Sequence, residues 1–153
     1  MKNSLFKSSK PTKPVRNKKL TNDLVGIGRS QAEEIVIALL RLNFPGIKIE
    51  RNDKSVLGRQ EIDIHIPISK IAIEIDGITH SKTVFGAVRF AESQERDARK
   101  EAHLAELGYL LYRIDIGPIE KEKMYAYLKN YMNTNLIPEL KRVIPSRVLS
   151  EQR

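Results

Sequence analysis

The segment EIDIHIPISKIAIEIDG, residues 61–77, changes character at every second position. Ile62, Ile64 and Ile66 alternate with Glu61, Asp63 and His65, and Ile71, Ile73 and Ile75 alternate with Ala72, Glu74 and Asp76. Successive side chains of a strand point to opposite faces, so a two-residue period predicts strands here and argues against a helix. Pro67 to Lys70 is a turn-length break between the two runs, which predicts an antiparallel hairpin. Asp63 then stands on one strand, while Glu74 and Asp76 share a face of its neighbour.

The flanking sequence has a different period. Ala32, Val36, Leu39 and Leu40 recur at helical spacing between about Ser30 and Asn43. Ser30 and Glu33 match a capping box at the start of that helix, and Pro45-Gly46 ends it. A weaker strand at about Ile47 to Arg51 is expected at a sheet edge. After a loop holding Gly77 and Gly86, Glu92 to Leu107 reads as a helix closed by Gly108. Tyr109 to Ile114 is an apolar strand, Pro118 is expected to open a helix to about Met132, and Ile137 to Val143 is a short last segment. This order predicts an α/β chain: a mixed sheet of about four strands with helices on both faces. At 153 residues the chain fits one domain. It divides into a basic arm (1–28), a central domain (29–134) and a C-terminal extension (135–153).

Charge is distributed unevenly. The formal net charge is +8, and residues 1–20 carry Lys2, Lys7, Lys10, Lys13, Arg16, Lys18 and Lys19 with no acid. Such a Ser-, Pro- and Lys-rich arm cannot bury apolar surface, so disorder is expected. A polyanion is the natural partner, because each neutralised phosphate releases condensed counterions. Lys10, Lys13, Arg16, Lys18 and Lys19 are therefore candidate phosphate contacts, with a solubilising tail as the plainer reading. Cysteine is absent, which excludes disulfides and thiolate metal sites and points to a reducing, cytoplasmic setting. No apolar run has the length of a membrane span, and the first residues lack the apolar centre of a signal peptide.

On the hairpin, Asp63, Glu74 and Asp76 are expected to converge. Like charges so placed cost stability unless a cation neutralises them. Carboxylates are hard oxygen ligands, which suits Mg²⁺, with Mn²⁺ as a substitute. The competing reading is a solvated outer face of a surface hairpin.

The run from Leu57, Gly58 and Arg59 through Asp63, then Ile73, Glu74, Ile75, Asp76, Gly77 and His80, resembles the core of the very-short-patch-repair endonuclease branch of the PD-(D/E)XK superfamily. Glu95, Arg96 and Asp97, followed by Leu104, Leu107, Gly108 and Tyr109, are similar to the helix and strand that follow in that branch. Together these matches cover about residues 30–116. Within the branch, the pattern is most similar to the phage EDxHD homing endonucleases, which have a helix Glu, a strand Asp, a His and a later Asp. These positions correspond to Glu33, Asp63, His80 and Asp97.

The resemblance implies a restriction-endonuclease-like fold and an Mg²⁺-dependent DNA endonuclease in a bacterial or phage-infected cell. Asp63 and Glu74 would ligate the metal, and the Ile75 carbonyl would complete the shell. His80 would act as general acid or base, since an unperturbed imidazole titrates near the operating pH. Asp97 would orient His80, and Glu33, or its neighbour Glu34, would reach the metal through water. Arg96, Arg99 and Lys100 are candidate phosphate contacts.

Two positions depart from the superfamily pattern. Ile62 precedes Asp63, and Asp76 stands where a lysine is usual, so weight moves from a lysine-activated nucleophile to His80 or to the metal. No small-molecule cofactor is implied. A catalytically inactive DNA- or RNA-binding module of the same fold, and a structure-specific junction or flap nuclease, are the alternative readings. Cutting both strands with one site per chain needs two subunits or two events, which leaves a homodimer open.

Overall fold

The computed structural model describes residues 28–77 and 87–151. Four strands form one mixed sheet in the order β1-β2-β3-β4: β1 (Glu50–Asp53), β2 (Ile62–Ile66), β3 (Ile71–Asp76) and β4 (Leu110–Asp115). β2 pairs antiparallel with both β1 and β3, and β4 runs parallel to β3. The expected hairpin is present, with Ile64 opposite Ile73, His65 opposite Ala72 and Ile66 opposite Ile71. A single 3-10 turn, Pro67–Ser69, joins its strands. Lys70 closes that turn in the left-handed region at φ 51°, donating its N–H to the Pro67 carbonyl.

The edge strand lies three residues later than expected, at Glu50–Asp53 rather than from Ile47. Ile47 and Ile49 pack against the core instead, and the pairing strand that remains is short and polar, which suits an exposed edge.

The parallel pairing of β3 and β4 requires a crossover, and helix α2 (Ala87–Glu106) supplies it. Gly108 ends α2 with φ 84°. The Tyr109 N–H reaches the Leu104 carbonyl and the Gly108 N–H reaches that of Ala105, which is a Schellman cap that only a residue tolerant of positive φ allows without strain.

Alternation sorts the two sheet faces from Ile64 onward, and Ile62 at the start of β2 departs from it. Ile64, Ile66, Ile71, Ile73, Ile75 and Ile114 pack with Ala32, Val36 and Leu40 of α1 (Gly28–Asn43) and with the C-terminal helices. A smaller cluster of Ile62, Ala72 and Leu104 lies under α2. β2 and β3 are therefore buried along nearly their whole length, Asp63, His65 and Glu74 included. The solvated-face reading of the hairpin is overturned, because α2 closes over Asp63 and Glu74 while Asp53 and Tyr109 close over His65. Buried polar groups then need partners.

α1 already runs at Gly28, so Ser30 lies inside the helix rather than at its cap, and the capping-box expectation fails. Pro118 does not open a helix either. It sits in a turn fixed by the Ile116 N–H bonding to Asp76 O and the Ile119 N–H bonding to Ile116 O. The helix α3 begins later and spans Met124–Tyr131. A π turn, Met132–Leu136, then leads directly into α4, Ile137–Glu151. Here the Ile137 N–H bonds to Met132 O. The wider turn comes just before Pro138, whose ring cannot share space with a carbonyl one normal turn back. Leu136, Ile137, Leu140, Val143 and Ile144 join the same core as the sheet. Residues 135–151 are thus built into the central domain rather than appended to it. No helix among the described residues is long and apolar enough to cross a membrane.

Candidate active site

Asp63 on β2 and Glu74 on β3 open into one cleft of about 390 Å³, which Arg59, Gln60, Glu61, Ile75, Ser93, Arg96, Asp97 and Lys100 also line. The four residues from α2 recur at spacings of three, one and three, so a single helix face forms that wall. Glu61 and its two predecessors come from the loop that enters β2. The sheet supplies a rigid floor and the helix a charged wall.

The two carboxylates are held in different ways. Asp63 Oδ2 accepts the Ile75 N–H at 2.9 Å, and Glu74 Oε1 lies 3.4 Å from the Asp63 N–H. The Lys100 ammonium reaches Glu74 Oε1 at 2.6 Å and the Glu61 carbonyl at 2.6 Å. Asp63, Glu74 and Lys100 are all buried. Burial, and next the charge of Asp63, raise the Glu74 pKa to about 7, against the lowering effect of Lys100. A carboxyl poised near neutrality in a cleft is a recurring mark of a functional site.

Several expected site residues lie together and others do not. Asp63, Glu74, Ile75, Asp97, Arg96 and Lys100 share the cleft. Lys100 is no surface phosphate contact, however: its stem runs inward and its charge ends on Glu74. Asp76 does not join the other two acids, and lies 3.3 Å from the Arg113 guanidinium of β4. Glu33 is also elsewhere, buried at 2.9 Å from Arg51 Nε, while the exposed Glu34 is 3.6 Å from the same guanidinium. Arg99 is exposed on α2 and is not part of the cleft wall. His80, Lys10, Lys13, Arg16, Lys18 and Lys19 lie outside the described residues.

Among the described residues, no group of three or more His, Cys, Asp or Glu side chains is arranged to hold a metal. Comparison with protein families, curated proteins and solved structures finds no match. The fit of a metal therefore rests on the donors themselves. Mg²⁺ keeps several waters and is commonly held by one or two carboxylates plus substrate phosphates. Asp63 and Glu74 meet that need, since both are hard oxygen donors at an open cleft, so the residues fit the ion.

Some features had a weak signal in sequence. Ser93, Gln60 and Glu61 have no distinguishing pattern. His65 had one: an imidazole on an alternating strand needs partners once buried. Its Nδ1 lies 2.7 Å from Asp53 Oδ2 and its Nε2 2.9 Å from the Tyr109 hydroxyl. Neither partner is near it in sequence, and neither lines the cleft.

Proposed function

We propose that this protein is a divalent-metal-dependent DNA endonuclease of restriction-endonuclease-like fold, akin to the phage homing nucleases. The observation that carries this reading is the meeting of Asp63 and Glu74, from adjacent strands, in one cleft walled by Arg96, Asp97 and Lys100. The mixed four-stranded sheet with helices beside it is compatible with the fold.

Asp63 and Glu74 would hold Mg²⁺ or Mn²⁺, which when bound supplies positive charge against the phosphate of the scissile bond. The Ile75 N–H fixes the rotamer of Asp63. Lys100 sets the direction of Glu74 and lowers the cost of its charge. Removal of a proton from the attacking water, or its delivery to the leaving oxygen, is assigned to His80, with Asp97 as its orienting partner, on the resemblance alone. The basic arm adds sequence-independent affinity for DNA.

One observation favours a second reading, a binding module without cleavage: the Lys100 ammonium already balances Glu74. Incubating the full chain with supercoiled plasmid in Mg²⁺ and in EDTA separates the two. Cleavage in Mg²⁺ alone, lost in Asp63→Ala while DNA binding persists, is the expected result. Absence of cleavage by the unaltered protein, or full activity of Asp63→Ala, removes the nuclease reading.

A further inference from the structure

The cleft has acids at its base and two arginines at its rim. Arg59 comes from the loop entering β2 and Arg96 from α2, and both are exposed. Gln60 Nε2 reaches the Arg96 carbonyl at 3.5 Å, so the loop and the helix meet at the point where the two arginines stand. Arg51, Arg113, Arg142 and Arg147 are all engaged, by Glu33, Asp76, Glu139 and the Ser69 and Gly108 carbonyls respectively. Among the described residues, neither Arg59 nor Arg96 has such a partner, although Glu61 and Asp97 line the same cleft.

A cleft with this polarity is poorly suited to a simple anion, which the acids at its base would repel. A divalent cation alone would satisfy the acids at the base but leave the rim arginines without a counter-charge. The cleft suits a ligand carrying several phosphates at fixed intervals, one over the base and others beside it. Guanidinium matches that need, because its planar fork donates two parallel hydrogen bonds to one phosphate.

We propose that Arg59 and Arg96 grip backbone phosphates next to the one presented to Asp63 and Glu74, so that the cleft takes a nucleic-acid strand rather than a free nucleotide. This rests on the nuclease reading for the identity of the strand and for which phosphate is cut. The two arginines are binding and positioning residues. They set the register of the strand and carry no base information.

The test uses the full chain and a fluorescein-labelled DNA duplex, with Ca²⁺ in place of Mg²⁺ and anisotropy measured over a range of salt. Arg59→Ala and Arg96→Ala should each weaken binding about tenfold and reduce the slope of log K against log salt by about 0.9, the contribution of one phosphate contact. Arg59→Lys and Arg96→Lys should keep the slope and recover only part of the affinity, since charge is retained and the fork is lost. Arg142→Ala, which alters an exposed arginine paired with Glu139 on α4, should bind as the unaltered chain does.

An unchanged slope in both alanine variants, an equal loss in Arg142→Ala, or no DNA binding even at low salt overturns the grip. Loss of slope in a protein that never cuts plasmid in Mg²⁺ supports the grip and removes the nuclease reading. Cleavage by the unaltered chain together with normal binding by both alanine variants removes the grip alone.

Discussion

The Lys100 ammonium lies 2.6 Å from Glu74 Oε1, with both groups buried between α2 and the sheet. This contact joins the crossover helix to the central strand and places a positive charge beside a carboxylate that burial and Asp63 would otherwise keep protonated. It serves the fold and the site together. A buried ion pair adds little net stability, yet removing one member leaves an uncompensated charge.

Glu74→Gln should alter how stability depends on pH. The carboxyl titrates at about 7 in the folded chain against 4.5 for the free side chain. The native state therefore holds its proton more tightly, and stability declines as pH rises from the lower value to the higher. The glutamine variant lacks that titration. Chemical denaturation should give matched stabilities near about pH 5 and a more stable variant near about pH 8, by roughly 2–3 kcal/mol. A constant difference at both pH values would mean that Glu74 is not the group that titrates.

Lys100→Met keeps the apolar stem and removes the charge. The cost should be about 2–4 kcal/mol near about pH 8, where Glu74 is ionised, and smaller near about pH 5, where it is protonated. Paired thermal or urea melts at the two pH values read this directly. An equal cost at both would reduce the role of Lys100 to packing.

The hairpin was legible because one physical rule, alternation on a pleated strand, governs it without help from distant residues. Asp63 and Glu74 followed from the same rule. Asp76 did not, because at the end of β3 it lies within reach of Arg113, the β4 residue diagonal to it, which only the β3–β4 pairing brings near. Lys100 was misread for a related reason. A cation on a charged helix looks solvated until the helix is known to lie over the acids, and nothing in residues 87–106 states which face turns inward. The start of α3 was misplaced because Pro118 is a strong local signal for a helix opening, whereas the chain places it in a turn held by backbone bonds to Asp76 and Ile116.

Glu33 provides a direct comparison between resemblance and geometry. The family pattern gives it a place at the metal, whereas its carboxylate is buried against Arg51 on the edge strand and lies outside the cleft wall. Glu33→Gln should retain plasmid cleavage within about threefold while losing about 1–3 kcal/mol of stability, the cost of weakening a buried charge-assisted bond. Loss of cleavage in a variant that melts normally would return Glu33 to the site.

Asp53 links acid stability to the loop that carries Arg59. Its Oδ1 accepts the Ser55 N–H at 2.8 Å and its Oδ2 lies 2.7 Å from His65 Nδ1. Hydrogen bonds from Ser55 chiefly, and then from His65, lower its pKa to about 2 from 3.8. A depressed carboxyl contributes stability that is fully present above the unfolded value and is lost as pH falls toward the folded one. The unaltered chain should therefore lose about 2 kcal/mol more than Asp53→Asn between about pH 4 and about pH 2. Near neutral pH the variant should be the less stable protein, because the asparagine cannot offer charged oxygens to Ser55 and His65 together. Circular dichroism melts across that acid range test both statements. Parallel acid losses in the two proteins would show that Asp53 is not the group responsible.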